Sequence, residues 1–388
     1  MPVLRSTAGP EACEIYYEIR QSPTAEARFD DRNSVNVVLI MGFGATHQCW
    51  EPQLEQLLSR EQTTPTRCLL MDNRGVGRTG APASTSAYTT SIMAADVYAL
   101  MEHVGWEHAH VVGHSMGAMI ALKLASAHPE RIDSLTLIST TGGRFQSIPR
   151  GWRALWYAFQ LMMAKKVEDR AMVDLKFHFM HSTLDEVRSQ GSKTGRTRWD
   201  LLAEEYVEGQ RGGGIGQNND GFHGQMHAVW HHTATSTDVS RVRSGKFPVL
   251  VIHGRHDLLA APKFGEALAH RLGAPCIMLE GAHMLCRECG YHINLLLDHI
   301  IYHARALVRR RHHYLDHSAN ASDPDGVPCS CRVSADVACD AHAVMELGQS
   351  AQHGGCLQGR HQGDDGPKRA GTPDSEASAA SHTGLLTR

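Results

Sequence analysis

Residues 110–126, HVVGHSMGAMIALKLAS, indicate more about the fold than any other stretch of this chain. A short apolar run at 110–112 precedes Gly113-His114-Ser115-Met116-Gly117, and an apolar helical pattern follows it. A G-x-S-x-G turn between a strand and a helix pushes the serine hydroxyl out at the carboxyl end of a sheet. Glycines two residues to either side permit so tight a backbone path. We therefore interpret Ser115 as a nucleophile, with the Met116 N–H at the helix start directed at an oxyanion.

Strands and helices alternate on both sides of this turn. Nearly continuous apolar runs are typical of strands covered on both faces, and patterns with one apolar face are typical of helices. The predicted strands are 35–41, 68–71, 110–112, 135–138, 247–252 and 276–279, with residues 11–19 as an edge strand. The predicted helices include 92–104, which Thr90 or Ser91 would cap, 116–126 and 291–308. This alternation predicts an α/β fold with a mostly parallel central sheet flanked by helices.

The interval 142–245 differs from its surroundings, since it carries helical patterns, a glycine-rich loop and no convincing strand. We interpret it as a helical cap inserted into a core whose two parts are residues 10–141 and 246–312. Four of the six tryptophans lie in this interval, and Trp152 and Trp156 are the candidate substrate-binding residues. A pocket lined by them would favour an apolar or amphipathic substrate. Packing within the cap is the alternative role for the same side chains.

A serine hydroxyl is a weak nucleophile until a base accepts its proton. The loop after one late strand ends at Asp257, and His283 follows the next strand. Ser, Asp, His is the chain order expected when the serine lies in this kind of turn, so we predict that Asp257 orients His283 as the base. His114 and His253 are rival bases, but each lies at or near a strand end, where burial is expected. Taken alone, Asp257 fits a solvated turn and His283 fits an ordinary loop histidine; the combination favours the triad.

A second oxyanion donor is expected in a loop that follows an early strand. Met41-Gly42-Phe43-Gly44 follows the apolar run VNVVLI directly. The Phe43 N–H is therefore the predicted partner of the Met116 N–H in an oxyanion hole, and a simple glycine turn is the alternative.

Residues 12–303 resemble the α/β-hydrolase fold-1 family of serine hydrolases, which includes esterase-like and lipase-like enzymes. The matching segments are LIMGFGATHQCW, LLMDNRGVGRTG, HVVGHSMGAMIALKLASAHPERIDSLTLIST, FPVLVIHGRHD and LEGAHM. The resemblance implies an acyl-enzyme mechanism that uses neither a metal nor an organic cofactor. Two departures stand out. Met41 stands where many relatives carry His, and residues 286–290, CRECG, follow His283 where relatives often carry Glu and Pro.

Composition argues against several classes of protein. A net charge of -3 gives no electrostatic reason to expect a nucleic acid partner. The first 30 residues contain no secretory apolar segment, and no run approaches the roughly 18 apolar residues of a membrane-spanning helix. We therefore expect a cytoplasmic protein without stable membrane insertion, and its oligomeric state stays open. Residues 318–388 contain no Phe, Tyr or Trp, so we predict that 313–388 form a disordered tail.

The ten cysteines and 26 histidines form no disulfide framework and no clear metal site in the sequence. In a chain without a signal peptide, the cysteines are interpreted as free thiols. Cys286-x-x-Cys289 resembles half of a redox or zinc site but lacks a second pair in the folded region, so we predict no metal. The basic run at 309–313 is interpreted as a cationic helix end.

Together these residues predict a serine hydrolase that cleaves a carboxylic ester, or a related acyl bond, of an apolar or amphipathic small molecule. The same triad serves aminopeptidases, lactonases, thioesterases and acyltransferases, and the fold does not choose among them. A serine at the turn argues against epoxide hydrolases and haloalkane dehalogenases, which resemble this family but use Asp there. A ligand receptor or scaffold that keeps the fold without turnover is an alternative of a different class.

Overall fold

The central strands are largely apolar because both faces of the sheet are covered. In the computed structural model, which describes residues 2–23, 34–59, 64–186, 197–211 and 217–301, the side chains of one central strand enter two different cores. Val38 and Ile40 pack into one core, and Val37 and Leu39 pack into the other, as the two-residue period of a strand requires. A parallel sheet between two helical layers accounts for this pattern.

Eight strands form one sheet. Their bounds are β1 Val3–Ser6, β2 Cys13–Gln21, β3 Val35–Ile40, β4 Thr66–Met71, β5 Ala109–His114, β6 Ile132–Ile138, β7 Val249–Gly254 and β8 Cys276–Leu279. The spatial order is β1-β2-β4-β3-β5-β6-β7-β8, antiparallel at β1-β2 and β2-β4 and parallel from β4 onward. The carboxyl ends of the parallel strands therefore share one edge, where ligands bind in open α/β sheets.

Helices occupy the connections between the strands. Their bounds are α1 Glu51–Leu57, α2 Thr90–His103, α3 Met116–Ala127, α4 Trp152–Met163, α5 Val167–His178, α6 His181–Leu184, α7 Arg198–Arg211, α8 Asn219–His231, α9 Ser236–Ser244, α10 Pro262–Leu272, α11 Leu285–Glu288 and α12 over residues 290–301. Short 3-10 helices lie at His47–Trp50, Thr85–Ala87, Pro129–Arg131 and Arg144–Ser147. This architecture confirms the predicted α/β fold with its mostly parallel sheet.

Two helical layers cover the sheet. One core collects apolar side chains of α2, α3, α9 and α10, and the other collects those of α1, α11 and α12 together with Trp50. Helix α9 lies within the interval predicted as a cap, yet its Val239 and Val242 belong to the first of these cores. Asp238 of the same helix accepts hydrogen bonds from Lys123 at 2.6 Å and Ser126 at 2.9 Å, which fix α9 on α3.

The described chain between β6 and β7 is otherwise built from α4 to α8 and a bridge between Gly143 and Thr233. The bounds of the core and cap within the chain stay predictions. None of the described helices is both long enough and apolar enough to span a membrane. The predicted tail at 313–388, the basic run at 309–313 and the last part of the predicted helix 291–308 lie outside the described residues.

Two local predictions were wrong. The segment predicted as an edge strand is β2, which lies between β1 and β4; the edge strand is β1, whose four residues, VLRS, are too few to show a pattern. The cap of α2 is Thr89, whose side chain accepts a hydrogen bond from the Ile92 N–H. Three neighbouring hydroxyl residues can each cap this helix in principle, and only the backbone geometry selects one of them.

Candidate active site

The turn at Ser115 is sharp because two glycines make room for it. Ser115 lies between β5 and α3 with φ 55° and ψ −119°, a backbone conformation that costs free energy in a residue with a side chain. A Cβ added to Gly117 would lie 2.1 Å from the Ile40 carbonyl oxygen, and one added to Gly113 would lie 2.4 Å from the Gly117 carbonyl oxygen. The Ser115 N–H donates to the Ile138 carbonyl at 2.8 Å, so the neighbouring strand holds the strained residue in place.

The three residues predicted as a triad meet at this edge of the sheet. His283 Nε2 lies 2.9 Å from Ser115 Oγ, and His283 Nδ1 lies 2.8 Å from Asp257 Oδ2. Asp257 and His283 come from the loops after β7 and β8, and both are buried. When Asp257 accepts the Nδ1–H, the Nε2 lone pair faces the Ser115 hydroxyl. This arrangement can remove the proton from Ser115 and stabilise the imidazolium that results.

Asp257 is held as an anion by its surroundings. Its Oδ1 accepts hydrogen bonds from the Leu259 and Ala260 N–H groups at 2.9 and 2.8 Å, and its Oδ2 lies 3.3 Å from His253 Nε2. Burial by itself would raise the pKa of Asp257. The charge of His283 and the hydrogen bonds from His253 and His283 outweigh burial and hold this pKa well below its ordinary range. The Asp257 carboxylate is therefore ionised near pH 7.

The backbone of His283 is tied on both sides. Its carbonyl accepts hydrogen bonds from His114 Nε2 at 2.8 Å and Ser139 Oγ at 2.9 Å, and its N–H donates to the His178 carbonyl at 3.0 Å. Burial lowers the pKa of His114 to about 3, so its ring is neutral near pH 7 and its Nε2 carries the proton. The other rival base, His253, also directs its Nε2 at a backbone carbonyl. His114 thus positions His283 and does not compete with it.

The loop after β3 lies against the nucleophile. A Cβ added to Gly42 would lie 3.0 Å from the Ser115 Cβ, so this loop packs directly on the serine. Phe43, the first predicted oxyanion donor, follows Gly42. Met116, the second, is the first residue of α3, where the leading N–H groups have no partner inside the helix. Phe43 therefore follows a residue that packs on Ser115, and Met116 follows Ser115 itself.

Gln225 of α8 fixes this loop and was not among the residues predicted from the sequence. The side chain is fully buried; its Oε1 accepts from the Gly44 N–H at 2.8 Å, and its Nε2 donates to the Arg74 carbonyl at 2.8 Å. Asn73 supports the same loop by donating to the Met41 carbonyl at 2.7 Å. Gln225 Oε1 also accepts from Gln217 Nε2 at 2.8 Å, eight residues away. The Gly44 and Arg74 partners that define its role are 181 and 151 residues away in the chain, so no local pattern could have indicated it.

Glu288 is a second residue that the sequence analysis missed. Its Oε1 accepts from the Met180 N–H at 2.8 Å, and its Oε2 accepts from the Ala282 N–H at 2.5 Å. One carboxylate therefore joins the residue before α6 to the residue before His283. The adjacent Arg287 makes paired contacts of 2.9 and 2.8 Å with Glu205 of α7. The only available signal was that this acid lies five residues after His283.

Comparison with known proteins agrees with this geometry. The family model described as alpha/beta hydrolase fold matches residues 35–288. The chain belongs to the alpha/beta hydrolase fold family. The RutD protein of Caulobacter sp. (strain K31), which is named for carbamate hydrolysis, is 35% identical to this hydrolase-fold chain over 125 residues, which cover 32% of the chain and 42% of that relative.

The BpoC protein of Mycobacterium tuberculosis (strain ATCC 25618 / H37Rv), named as a non-heme bromoperoxidase, is 38% identical over 116 residues, covering 29% of this chain and 42% of that protein. The chain thus spans less than half the length of these two curated relatives. Among solved structures, the enol-lactonase from Burkholderia xenovorans LB400 matches with a TM-score of 0.57 and 23% identity, over 75% of this chain and 97% of that one. At this identity the likeness is one of fold.

The two tryptophans predicted to bind substrate lie on α4 of this alpha/beta hydrolase. Trp152 is 77% exposed and Trp156 is 50% exposed, and the structure does not bring either into the hydrogen-bonded group around Ser115. From the same interval, His178 does lie beside this group, since its ring centroid lies 5.6 Å from that of His283. The substrate-binding role of the tryptophans stays a prediction.

The cysteines in the described ranges are thiols and not disulfides. Burial raises the pKa of Cys49 and Cys276 to about 11 and that of Cys286 further, so these groups are protonated near pH 7. Among the described residues, no three His, Cys, Asp or Glu side chains are grouped in a way that could hold a metal ion. The Cys286-x-x-Cys289 pair therefore has no third and fourth ligand within the part of the chain that the structure describes.

Proposed function

We propose that this protein is a serine hydrolase that cleaves a carboxylic ester of an apolar or amphipathic small molecule through an acyl-enzyme intermediate. The observation that carries the proposal is the continuous hydrogen-bonded path from Ser115 Oγ through His283 to Asp257, with contacts of 2.9 and 2.8 Å. A serine held in a strained turn beside an imidazole and a buried carboxylate is arranged for nucleophilic attack on an acyl carbon.

In the first half of the reaction, Ser115 Oγ attacks the carbonyl carbon while His283 Nε2 takes the hydroxyl proton. The N–H groups of Phe43 and Met116 donate to the oxyanion, and each such donor lowers the barrier by roughly 3 to 4 kcal/mol. The oxyanion collapses, the bond to the leaving alcohol breaks, and His283 delivers its proton to the alcohol oxygen. The product that stays behind is an ester of Ser115.

In the second half, His283 accepts a proton from water, and the resulting hydroxide attacks the acyl carbon of the Ser115 ester. Collapse of this second oxyanion returns the proton from His283 to Ser115 Oγ and frees the carboxylic acid. Asp257 stays ionised throughout and stabilises the imidazolium in both halves. The anionic state that its surroundings impose on Asp257 supports this role.

Carbamate hydrolysis is a second candidate, favoured by the similarity to RutD over 125 residues. The same nucleophile and base would attack the carbamate carbonyl, and His283 would protonate the leaving group in the same way. The nitrogen lone pair of a carbamate delocalises into its carbonyl, so the carbonyl carbon is attacked less readily than that of an ester with the same leaving group. The two candidates therefore differ in the rate at which matched ester and carbamate substrates are consumed.

The test is hydrolysis of p-nitrophenyl esters of increasing chain length by the wild type and by Ser115→Ala. We expect turnover in the wild type and a loss of about 10⁵-fold or more in kcat for the variant, since the remaining groups supply only binding and oxyanion contacts. Ser244→Ala, which removes an exposed hydroxyl on α9, is the matched control and should keep the full rate. A p-nitrophenyl carbamate measured alongside separates the two candidates.

Labelling with a fluorophosphonate distinguishes an enzyme from a receptor of the same fold. We expect a covalent adduct on Ser115 in the wild type and none in Ser115→Ala, together with steady turnover of an ester. Undiminished ester hydrolysis by folded Ser115→Ala would sink the assignment of the nucleophile. Labelling of the wild type without turnover of any ester or carbamate would favour the receptor alternative.

A further inference from the structure

Helix α4 carries a stripe of large apolar side chains on its outer side. Apolar residues spaced three or four apart lie on one face of a helix. Six residues with this spacing are all exposed to solvent, and we call them the α4 outer face: Trp152, Leu155, Trp156, Phe159, Met162 and Met163. Exposed apolar patches of this kind in soluble domains mark sites of interaction with another body.

The inner side of α4, which packs on the protein, buries little apolar surface. Ala154 is the only residue of this helix that is buried. Tyr157 packs toward Phe177, with ring centroids 5.9 Å apart, and its hydroxyl lies 3.2 Å from His181 Nε2. An ordinary surface helix buries its apolar face and exposes its polar one. Helix α4 is packed through Ala154 and Tyr157 and presents its larger apolar surface outward.

The charge around α4 indicates what the outer face meets. From residue 144 to residue 167 the sequence contains five Arg or Lys residues and no Asp or Glu, although the whole chain has a net charge of -3. All five of these cations are exposed. Arg153 lies within the length of the stripe, and the other four flank it in the sequence at its two ends: Arg144, Arg150, Lys165 and Lys166. Glu168 and Asp169 follow only in the first turn of α5. An apolar stripe with tryptophans and flanking cations is typical of a helix that lies on an anionic lipid surface.

We propose that the α4 outer face docks on the headgroup region of an anionic phospholipid membrane. The helix would lie in the plane of the interface, with the tryptophans at headgroup depth and the flanking cations against the lipid phosphates. It does not cross the bilayer: 12 helical residues span about 18 Å, whereas the hydrocarbon core is about 30 Å thick.

Docking at α4 would bring the membrane close to the base. Helix α4 packs on α5 through Tyr157 and Phe177, and α5 ends at His178, whose carbonyl accepts hydrogen bonds from the N–H groups of His283 and Met284, each at 3.0 Å. Two helices thus separate the outer face from the loop that carries His283. An amphipathic ester embedded in the same lipid surface is the kind of substrate that such an arrangement would present to the site.

The first experiment measures binding without catalysis, so its result does not depend on the proposed hydrolysis. Full-length Ser115→Ala is sedimented with vesicles of phosphatidylcholine alone and with vesicles of equal parts phosphatidylcholine and phosphatidylserine. We expect binding only to the vesicles that contain phosphatidylserine, weakened as salt is added, because the attraction between cations and anionic lipid is screened. Tryptophan emission should shift to shorter wavelength on binding.

Matched variants assign that binding to α4. Trp152→Ser combined with Trp156→Ser should weaken binding about tenfold or more, whereas Trp230→Ser, at a tryptophan of α8 that is 58% exposed, should not. Lys165→Glu combined with Lys166→Glu should weaken binding by a similar factor. Arg241→Glu combined with Arg243→Glu, at two exposed cations of α9, is the control for reversed charge elsewhere. Thermal melting of each variant shows that it is folded.

Three outcomes would overturn the proposal. The first is absence of binding to the phosphatidylserine vesicles by the folded full-length chain. The second is binding that the α4 variants leave unchanged. The third is a dimer, detected by light scattering, that the paired tryptophan variant dissociates while vesicle binding is absent; the occupant of the face would then be a second copy of the chain.

Discussion

The group around His283 and the outer face of α4 differ in which side chains are buried and which are exposed. Around His283, polar groups are buried, and the ring and both backbone groups of this residue have partners within hydrogen-bond distance. On α4, apolar groups are exposed, and the residue that anchors the helix most deeply is Ala154. The first region therefore owes its geometry to the interior of the protein, whereas we propose that the second meets a lipid surface.

The helices between β6 and β7 also differ in how firmly they are attached to the rest of the fold. Asp238 of α9 forms a capping box with Thr235 and accepts from Lys123 and Ser126 of α3, so α9 belongs to the layer that covers the sheet. Helix α4 has no comparable buried ion pair among the described contacts. Sequence position between β6 and β7 thus does not by itself say which helices stabilise the fold.

The largest expected effect tests the buried region. Asp257→Asn should lower kcat on a p-nitrophenyl ester by about 10³- to 10⁴-fold, because an amide cannot stabilise the imidazolium and favours the wrong tautomer of His283. Asp169→Asn, an exposed acid at the start of α5, is the matched control and should keep the wild-type rate. A kcat for Asp257→Asn within tenfold of the wild type would contradict the role given to this carboxylate.

The next effect compares two glutamates near the same loop. Glu288→Gln places an amide N–H₂ group against the N–H of either Met180 or Ala282. The free energy of unfolding should therefore fall by about 1 to 3 kcal/mol. The kcat should fall as well, because His283 is displaced. Glu205→Gln removes an exposed ion pair with Arg287 and should cost less than about 1 kcal/mol. Denaturant unfolding and ester kinetics measure both. Equal effects of the two substitutions would show that Glu288 is no more important than a surface partner.

A smaller effect with a defined pH dependence is expected at α9. Burial would raise the pKa of Asp238, but hydrogen bonds from Lys123, Thr235 and Ser126 outweigh it and hold the pKa at about 2, below its ordinary value of 3.8. The ionised carboxylate therefore stabilises the fold above about pH 3.8, and this contribution is lost as the pH falls through 2.

Asp238→Asn should accordingly lower the free energy of unfolding by about 1 to 2 kcal/mol near pH 7, and the difference from the wild type should disappear near pH 2. Lys123→Met removes the charged partner of Asp238 and should reproduce most of the loss in the free energy of unfolding. Urea unfolding over this pH range measures both variants. A difference for Asp238→Asn that is the same at pH 2 and pH 7 would argue that packing, and not charge, is responsible.

The smallest expected effect concerns the outer face. Trp156→Ser should change the free energy of unfolding by less than about 0.5 kcal/mol, because the side chain is exposed and stabilises little in the isolated chain. Trp50→Ala, at a fully buried tryptophan, should cost about 3 to 5 kcal/mol. Thermal or denaturant unfolding checks the pair. A large loss for Trp156→Ser would show that the outer face is covered within the protein itself.

Much of the fold was predictable because its signals are local. The apolar runs at β3, β5 and β8 follow from burial on both faces, and the strand-turn-helix at Ser115 follows from glycines whose added Cβ atoms would collide with backbone. Strand β1 was missed because its four residues carry no pattern of their own; it exists because β2 offers it hydrogen-bond partners.

Some residues of the candidate site were also predictable from the sequence, and others were not. Ser115, Asp257 and His283 were predictable because each follows a strand of one parallel sheet, and the carboxyl ends of such strands meet. Gln225, Glu288 and the His178 carbonyl were not, because their contacts join segments far apart in the chain and depend on how the helices between β6 and β7 pack. The apolar spacing of α4 is likewise visible in the sequence. Its outward orientation depends on which side of the helix packs on α5, since the same amphipathic pattern would suit a buried face equally well.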